Sequence, residues 1–151
     1  MRGVRVLISA SYILARLRGL TSEIPAEKIA GLIDEVPVLS LVAAHAKGIT
    51  VFRNVSELRV KESDRLQAII DGLGKLGVSA WAEGDDLYIE GNPDLQTPDD
   101  LVFDSLGDHR LAMTWSLVGL CGDKPIHIDN FESVAVSFPG FLSQFDRLVS
   151  E

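Results

Sequence analysis

Nine consecutive residues, Glu57-Leu58-Arg59-Val60-Lys61-Glu62-Ser63-Asp64-Arg65, hold three cations and three carboxylates. They follow a strand-like stretch and open an amphipathic helix. A helix N-terminus presents unpaired N–H groups and partial positive charge. Arg59, Lys61 and Arg65 placed there suit a phosphate or a carboxylate, because Arg offers a planar fork and Lys a mobile point charge. Glu62 and Asp64 could orient those cations or move protons. A second cluster, Asp108-His109-Arg110, opens another helix. A His between an acid and a guanidinium can hold its proton near neutral pH, and Arg110 could hold an anion. The same residues also read as caps and solvated faces, and Asp108 alone reads as an N-cap. His45 and His127 read as structural, and Trp81, Trp115 and Cys121 as packing. There is no P-loop, GxGxxG, CxxC or HExxH pattern, so nucleotide and metal readings have no motif behind them.

The elements that must position these clusters repeat along the chain. Asp34-Glu35-Val36-Pro37-Val38-Leu39-Ser40-Leu41 overlays Asp108-His109-Arg110-Leu111-Ala112-Met113-Thr114-Trp115 at an offset of 74 residues. Each segment starts with Asp, continues apolar for a helical length, and stops at Gly48 or Gly122. Beyond the glycines, Ile49–Asn54 and Pro125–Asn130 both read as strands ending in Asn, now at an offset of 76 residues, with an insertion near Asp123-Lys124. An amphipathic helix follows each. In the first, Leu66, Ile69, Ile70, Leu73 and Leu76 share one face, and Gly77 stops it. In the second, Phe141, Leu142, Phe145, Leu148 and Val149 repeat the pattern, with Ser137 as candidate N-cap and Pro139 in the first turn.

Val38–Ala46 and Leu111–Leu120 are apolar nearly all round, which predicts helices buried on most sides. Asp34 and Asp108 are their candidate N-caps, and Pro37 then requires the first of them to start near Asp34. Val78–Ala82 and Leu87–Glu90 read as a hairpin around a four-residue loop, Glu83-Gly84-Asp85-Asp86. Leu101-Val102-Phe103 reads as a short strand. The result is an α/β fold of repeated helix–strand–helix–strand–strand units, with sheets covered by helices. If the two repeats pack side by side, both charged clusters lie at equivalent ends and line one crevice.

Composition bounds the function classes. The 151 residues carry 14 Lys+Arg against 22 Asp+Glu, a net charge of −8. That argues against broad nucleic-acid binding, which needs a positive field, but not against a local basic pocket. Hydrophobic residues make up 46% of the chain, enough for a real core. No apolar run approaches the roughly 20 residues of a membrane span. Val6-Leu7-Ile8 near the N-terminus reads as a strand rather than a signal peptide. The single Cys121 excludes an internal disulfide and suits a reducing, cytoplasmic setting.

Glu57–Arg65 resembles a signature of the 5-enolpyruvylshikimate-3-phosphate synthase family, the 3-phosphoshikimate 1-carboxyvinyltransferases. Asp108–Met113 resembles that family's second signature. Ile33–Pro37 and Ser137-Phe138-Pro139 are similar to two further family segments, in the right order. The resemblance implies one lobe of the enolpyruvate transferase fold, an inside-out α/β barrel, here incomplete. Residues 1–23 would be the remnant of a preceding repeat, 24–97 one repeat and 98–151 a second, shorter one, together a single partial domain.

The resemblance also implies a chemistry that uses no metal and no cofactor. The family transfers the enolpyruvyl group of phosphoenolpyruvate to the 5-hydroxyl of shikimate 3-phosphate and releases phosphate, in the route to aromatic amino acids that glyphosate blocks. By that resemblance Asp34 is the proton acceptor for the shikimate hydroxyl. Lys61 contacts shikimate 3-phosphate and the reacting centre, and Glu62 moves a proton to the phosphoenolpyruvate methylene. Arg65 and Arg110 bind phosphoenolpyruvate, and His109 lies beside that site. Where some members carry a further lysine, this chain has Val136. The implied partners are the two anionic substrates and a first lobe that this chain does not contain, without which the chain is expected to be inactive. The alternative is a non-catalytic α/β module that associates with itself.

Overall fold

A computed structural model describes residues 21–122 and 124–150. The expected strand at Val6–Ile8 and most of the remnant repeat lie outside the described residues, as does Asp123 of the expected insertion. The chain divides into two compact units, the first ending at Leu95 and the second starting at Gln96.

In the first unit the order is β1 (Thr21–Ile24), α1 (Ala26–Ile29), a 3-10 turn (Ile33–Glu35), α2 (Val36–Ala44), β2 (Gly48–Phe52), a second 3-10 turn (Ser56–Val60), α3 (Arg65–Lys75), β3 (Ser79–Glu83) and β4 (Asp86–Gly91). The strands form one sheet in the order β1-β2-β4-β3. β1 runs parallel to β2, while β4 is antiparallel to both β2 and β3. Helix α2 packs on β4, α3 packs on β3, and the two helices touch. Val36, Leu39, Phe52, Leu66, Ile69, Leu87 and Ile89 form the buried interior.

Local chemistry explains most boundaries. α2 is buried along nearly its whole length, as its all-round apolar sequence requires. It lies so close to β4 that a Cβ on Gly91 would sit 2.2 Å from the Ala43 carbonyl oxygen. α3 presents Leu66, Ile69 and Leu73 inward, and Gly77 takes φ +78 just beyond its end, a left-handed stop that glycine adopts without strain. The hairpin loop is two residues rather than four, because Glu83 and Asp86 still pair across it. Gly84, at φ +59, makes that tight reversal possible.

The second unit holds β5 (Leu101–Asp104), α4 (His109–Cys121), β6 (Ile126–Asp129), α5 (Ser133–Ser137) and α6 (Phe141–Ser150). β5 and β6 pair in parallel. α4 packs on β6 and α5. Trp115 is 2% exposed and stacks on Phe103 at 4.7 Å, a pair worth about 0.5–1.5 kcal/mol beyond its buried area. Both units thus contain strand, buried helix and parallel strand in succession. Asn54 and Asn130 follow the second strand of each, and both take left-handed backbone, φ 55 and φ 58. Asn tolerates that region better than most side chains.

Three local expectations are corrected here. Ser137 ends the short helix α5 instead of capping α6, because Pro139 separates the two helices. Cys121, expected as packing, is exposed at the end of α4. α4 is less enclosed than its sequence suggests, since Leu120 is 38% exposed. Among the described residues no closed barrel forms and no helix is long and apolar enough to cross a membrane.

Candidate active site

The first charged cluster is assembled from two stretches of the first unit. Asp34 stands in the 3-10 turn before α2, while Glu57 stands in the 3-10 turn after β2. The two turns pack against each other. Lys61 and Glu62 occupy the link from the second turn to α3. α3 begins at Arg65 because Asp64 Oδ1 accepts the Gln67 N–H at 3.0 Å, an N-cap that satisfies a first-turn donor.

That cap directs Arg65 inward, where its side chain is 1% exposed. Nη1 donates to Asp34 Oδ1 at 2.9 Å and Nη2 donates to Glu62 Oε2 at 2.5 Å. A guanidinium at this depth must be paired, since an uncompensated buried charge is costly. Lys61 Nζ donates to Glu57 Oε1 at 2.5 Å and lies 3.6 Å from the same Asp34 Oδ1. One oxygen of Asp34 therefore faces two cations. The Glu57 hydrogen bond, followed by the Asp34 charge, holds the Lys61 ammonium above the ordinary lysine range despite some desolvation. It is a full cation at neutral pH, as phosphate binding requires. Asp34, Glu57 and Glu62 keep 40%, 58% and 54% of their side chains exposed, so the cluster is accessible from water.

The geometry corrects two expectations. Asp34 does not cap α2; that helix begins at Val36, with Pro37 in its first turn and no side-chain cap. Its carboxylate is engaged by Arg65 and Lys61 instead. Lys61 is not on a helix N-terminus, since the helix opens only at Arg65. The cluster is thus a set of paired charges rather than a bare cationic pocket.

The second cluster belongs to the second unit. Asp108 is fully buried, and its Oδ1 accepts the Arg110 N–H at 2.9 Å, so this Asp is the N-cap its sequence suggests. His109 and Arg110 are half-buried in the first turn of α4. Leu106 and Gly107 approach the cap in left-handed backbone, φ 55 and φ 72. Asp104 Oδ1 holds the Leu106 N–H at 2.8 Å, and buried Ser105 donates to the Asn130 carbonyl at 2.9 Å. An open hollow of about 520 Å³ nearby is lined by Asp104, Leu106, Gly107, Asn130, Glu132, Ser133 and Val136. Its carboxylates make it a poor anion site, and His109 and Arg110 do not line it. Among the described residues no group of His, Cys, Asp and Glu could hold a metal ion.

Residues 9–145 match the family model of EPSP synthase (3-phosphoshikimate 1-carboxyvinyltransferase). The chain belongs to the EPSP synthase family. It is 42% identical over 128 residues to the 3-phosphoshikimate 1-carboxyvinyltransferase of Petrotoga mobilis, covering 85% of this chain and 29% of that protein. It is 46% identical over 128 residues to the Desulfitobacterium hafniense enzyme of the same name, covering 85% of this chain and 28% of that protein. A solved EPSP synthase from Acinetobacter baumannii superposes with a TM-score of 0.76 at 40% identity, over 83% of this chain and 29% of that one. The chain therefore spans under a third of the length of these relatives. Its open α/β sheets are those of part of one lobe of the EPSP synthase fold.

Within this family member, Asp34, Lys61, Glu62 and Arg65 come together in one unit, while His109 and Arg110 stand at a helix start in the other. Sequence reasoning assigned no role to Glu57, although its spacing of four residues from Lys61 is the ordinary signal for a paired charge. It also passed over Arg53, which binds Glu23 at 2.9 Å and Asp86 at 2.6 Å.

Proposed function

We propose that this chain carries part of the active site that transfers the enolpyruvyl group of phosphoenolpyruvate to shikimate 3-phosphate. The observation behind this reading is the convergence of Asp34, Lys61, Glu62 and Arg65 on one accessible cluster from two separate stretches of the first unit. In the proposed reaction Asp34 takes the proton of the 5-hydroxyl as its oxygen attacks C2 of phosphoenolpyruvate. Glu62 delivers a proton to C3, giving a tetrahedral intermediate. Loss of phosphate and of a C3 proton then forms the enol ether. Lys61 stays cationic throughout and balances the phosphate and the developing negative charge. Arg65, buried and bonded to both, fixes the Asp34 and Glu62 carboxylates.

Binding groups from the rest of a full-length synthase complete the cleft in this proposal. The chain alone leaves the substrates half-solvated and is expected not to turn over. The test is phosphate release from both substrates, by the chain alone and by the chain mixed with the separately produced remainder of a relative, the part this chain does not match. Turnover only in the mixture, abolished by Asp34→Ala, is the expected result. Turnover that survives Asp34→Ala or Lys61→Met overturns the assigned roles. The self-associating module remains the second reading, favoured by the exposed Val102, Leu106, Val136 and Leu142 of the second unit. Sedimentation over a range of concentrations separates the two, since a monomer throughout excludes it.

A further inference from the structure

We infer that Asp86, at the tip of the β3–β4 hairpin, is a positioning residue for the segment that carries Lys61. The hairpin tip grips the exit of β2 by three bonds. Asp86 Oδ1 accepts the Asn54 N–H at 2.8 Å, and Asp86 Oδ2 accepts Arg53 Nη1 at 2.6 Å. The Asp85 carbonyl accepts the Val55 N–H at 2.7 Å. Between these bonds Asn54 holds φ 55, a conformation outside the usual strand and helix regions, which persists where its surroundings fix it. Left-handed backbone at this point turns the chain out of the sheet and into the 3-10 turn Ser56–Val60. That turn delivers Glu57 and then Lys61. The Leu58 N–H bonds to the Val55 carbonyl at 2.9 Å, so the grip on Val55 passes directly into the turn.

The grip is itself braced. Arg53 also donates to Glu23 Oε2 at 2.9 Å and to the Tyr88 hydroxyl at 3.2 Å, and the Tyr88 ring stacks on Trp81 at 5.3 Å. The Asn54 N–H, followed by Arg53, keeps the Asp86 carboxyl below its ordinary range, so the grip is charged across neutral pH. None of these groups belongs to the Asp34–Lys61–Arg65 cluster. Their reach to it runs through the backbone from Arg53 to Lys61. For the enolpyruvyl transfer proposed above, the consequence is that Asp86 sets where the Lys61 ammonium stands relative to Asp34.

The test reads Lys61 without any substrate, so it can fail independently of the proposed reaction. The full chain is trace-acetylated with an activated acetate ester, and the rate at each lysine is followed by mass spectrometry. Lys28 and Lys47, exposed lysines of the same unit, are the internal references. In the unaltered chain Lys61 reacts more slowly than both, because its ammonium is held by Glu57 and Asp34. Asp86→Ala is expected to raise the Lys61 rate by at least about threefold, half a pKa unit in free amine, with Lys28 and Lys47 unchanged. Asp86→Asn keeps an oxygen for the Asn54 N–H and falls between. If Asp86→Ala does not fold, Asp86→Ser, too short to hold both partners, is read the same way. An unchanged Lys61 rate in the folded variant overturns the inference. So does an equal rise at all three lysines, which marks general loosening rather than positioning.

Discussion

Arg65 reaches from the first turn of α3 to Asp34, with Nη1 2.9 Å from Oδ1 across a separation of 31 residues. The two partners are unequally buried, at 1% and 40% side-chain exposure. Removing one is therefore not equivalent to removing the other. Asp34→Ala strips an acceptor from a guanidinium that water cannot reach, whereas Arg65→Met leaves carboxylates that can rehydrate. Asp34→Ala is expected to cost roughly 2–4 kcal/mol, below the full range for breaking a buried pair because Asp34 is half-open. Arg65→Met should cost less, with its aliphatic packing retained. Urea unfolding of the two variants measures the difference, and a larger loss for Arg65→Met contradicts it.

Lys61 is a different case. Its bonds to Glu57 and Asp34 are near the surface, and such pairs contribute about 1 kcal/mol or less. Lys61→Met should leave the urea midpoint nearly unchanged. Under the proposed function it should lower turnover on the order of a hundredfold or more in the complemented enzyme, the scale of losing a charge-stabilising donor. Lys61→Arg should not restore it, because a planar fork does not stand where a compact ammonium does. Steady-state kinetics beside the unfolding curve separates the two effects.

Two capping aspartates invite a direct comparison. Asp108 is fully buried and accepts the Arg110 N–H, while Asp64 is exposed and accepts the Gln67 N–H. Asp64→Ala exposes a donor that water can satisfy and should cost about 0.5–1 kcal/mol. Asp108→Ala empties a closed site beside a part-buried donor and should cost about 2 kcal/mol, the upper end for a lost cap. Asp108→Asn should recover most of that. Denaturant midpoints for the three variants test the ranking.

The elements were legible where a single local signal decides them. The periodic apolar face of α3, the all-round apolar run of α2, Gly77 as a stop and Asp108 as a cap all follow from short stretches of sequence. Asp34 and Asp108 looked equivalent because both precede apolar helices. Only Asp108 caps, since nothing in the sequence near Asp34 discloses that Arg65 competes for its carboxylate. The same long-range pairing explains why Arg65, which reads as a solvated charge, is buried. The hairpin loop was overestimated because Glu83 and Asp86 are turn-like residues, yet each is paired across the strands. Asp86 is there partly to hold Arg53 and Asn54, partners that lie more than 30 positions away.

His45 supplies a pH dependence whose sign can be worked out. It follows the last turn of α2 half-buried, and burial pushes its imidazole below the ordinary value of 6.5. In the unfolded chain it titrates at about 6.5. Between the two values the unfolded state binds more protons than the folded one, so stability rises with pH there. The contribution is complete above about pH 6.5 and is lost as the pH falls through the folded value. His45→Gln, neutral at every pH, removes it. The urea midpoint of the unaltered chain should therefore fall more between pH 7.5 and 5.5 than that of His45→Gln. Carboxylates such as Asp86, whose titration lies lower still, contribute equally to both proteins and cancel in the comparison. Parallel curves for the two chains across this interval would show that the imidazole is as well solvated folded as unfolded.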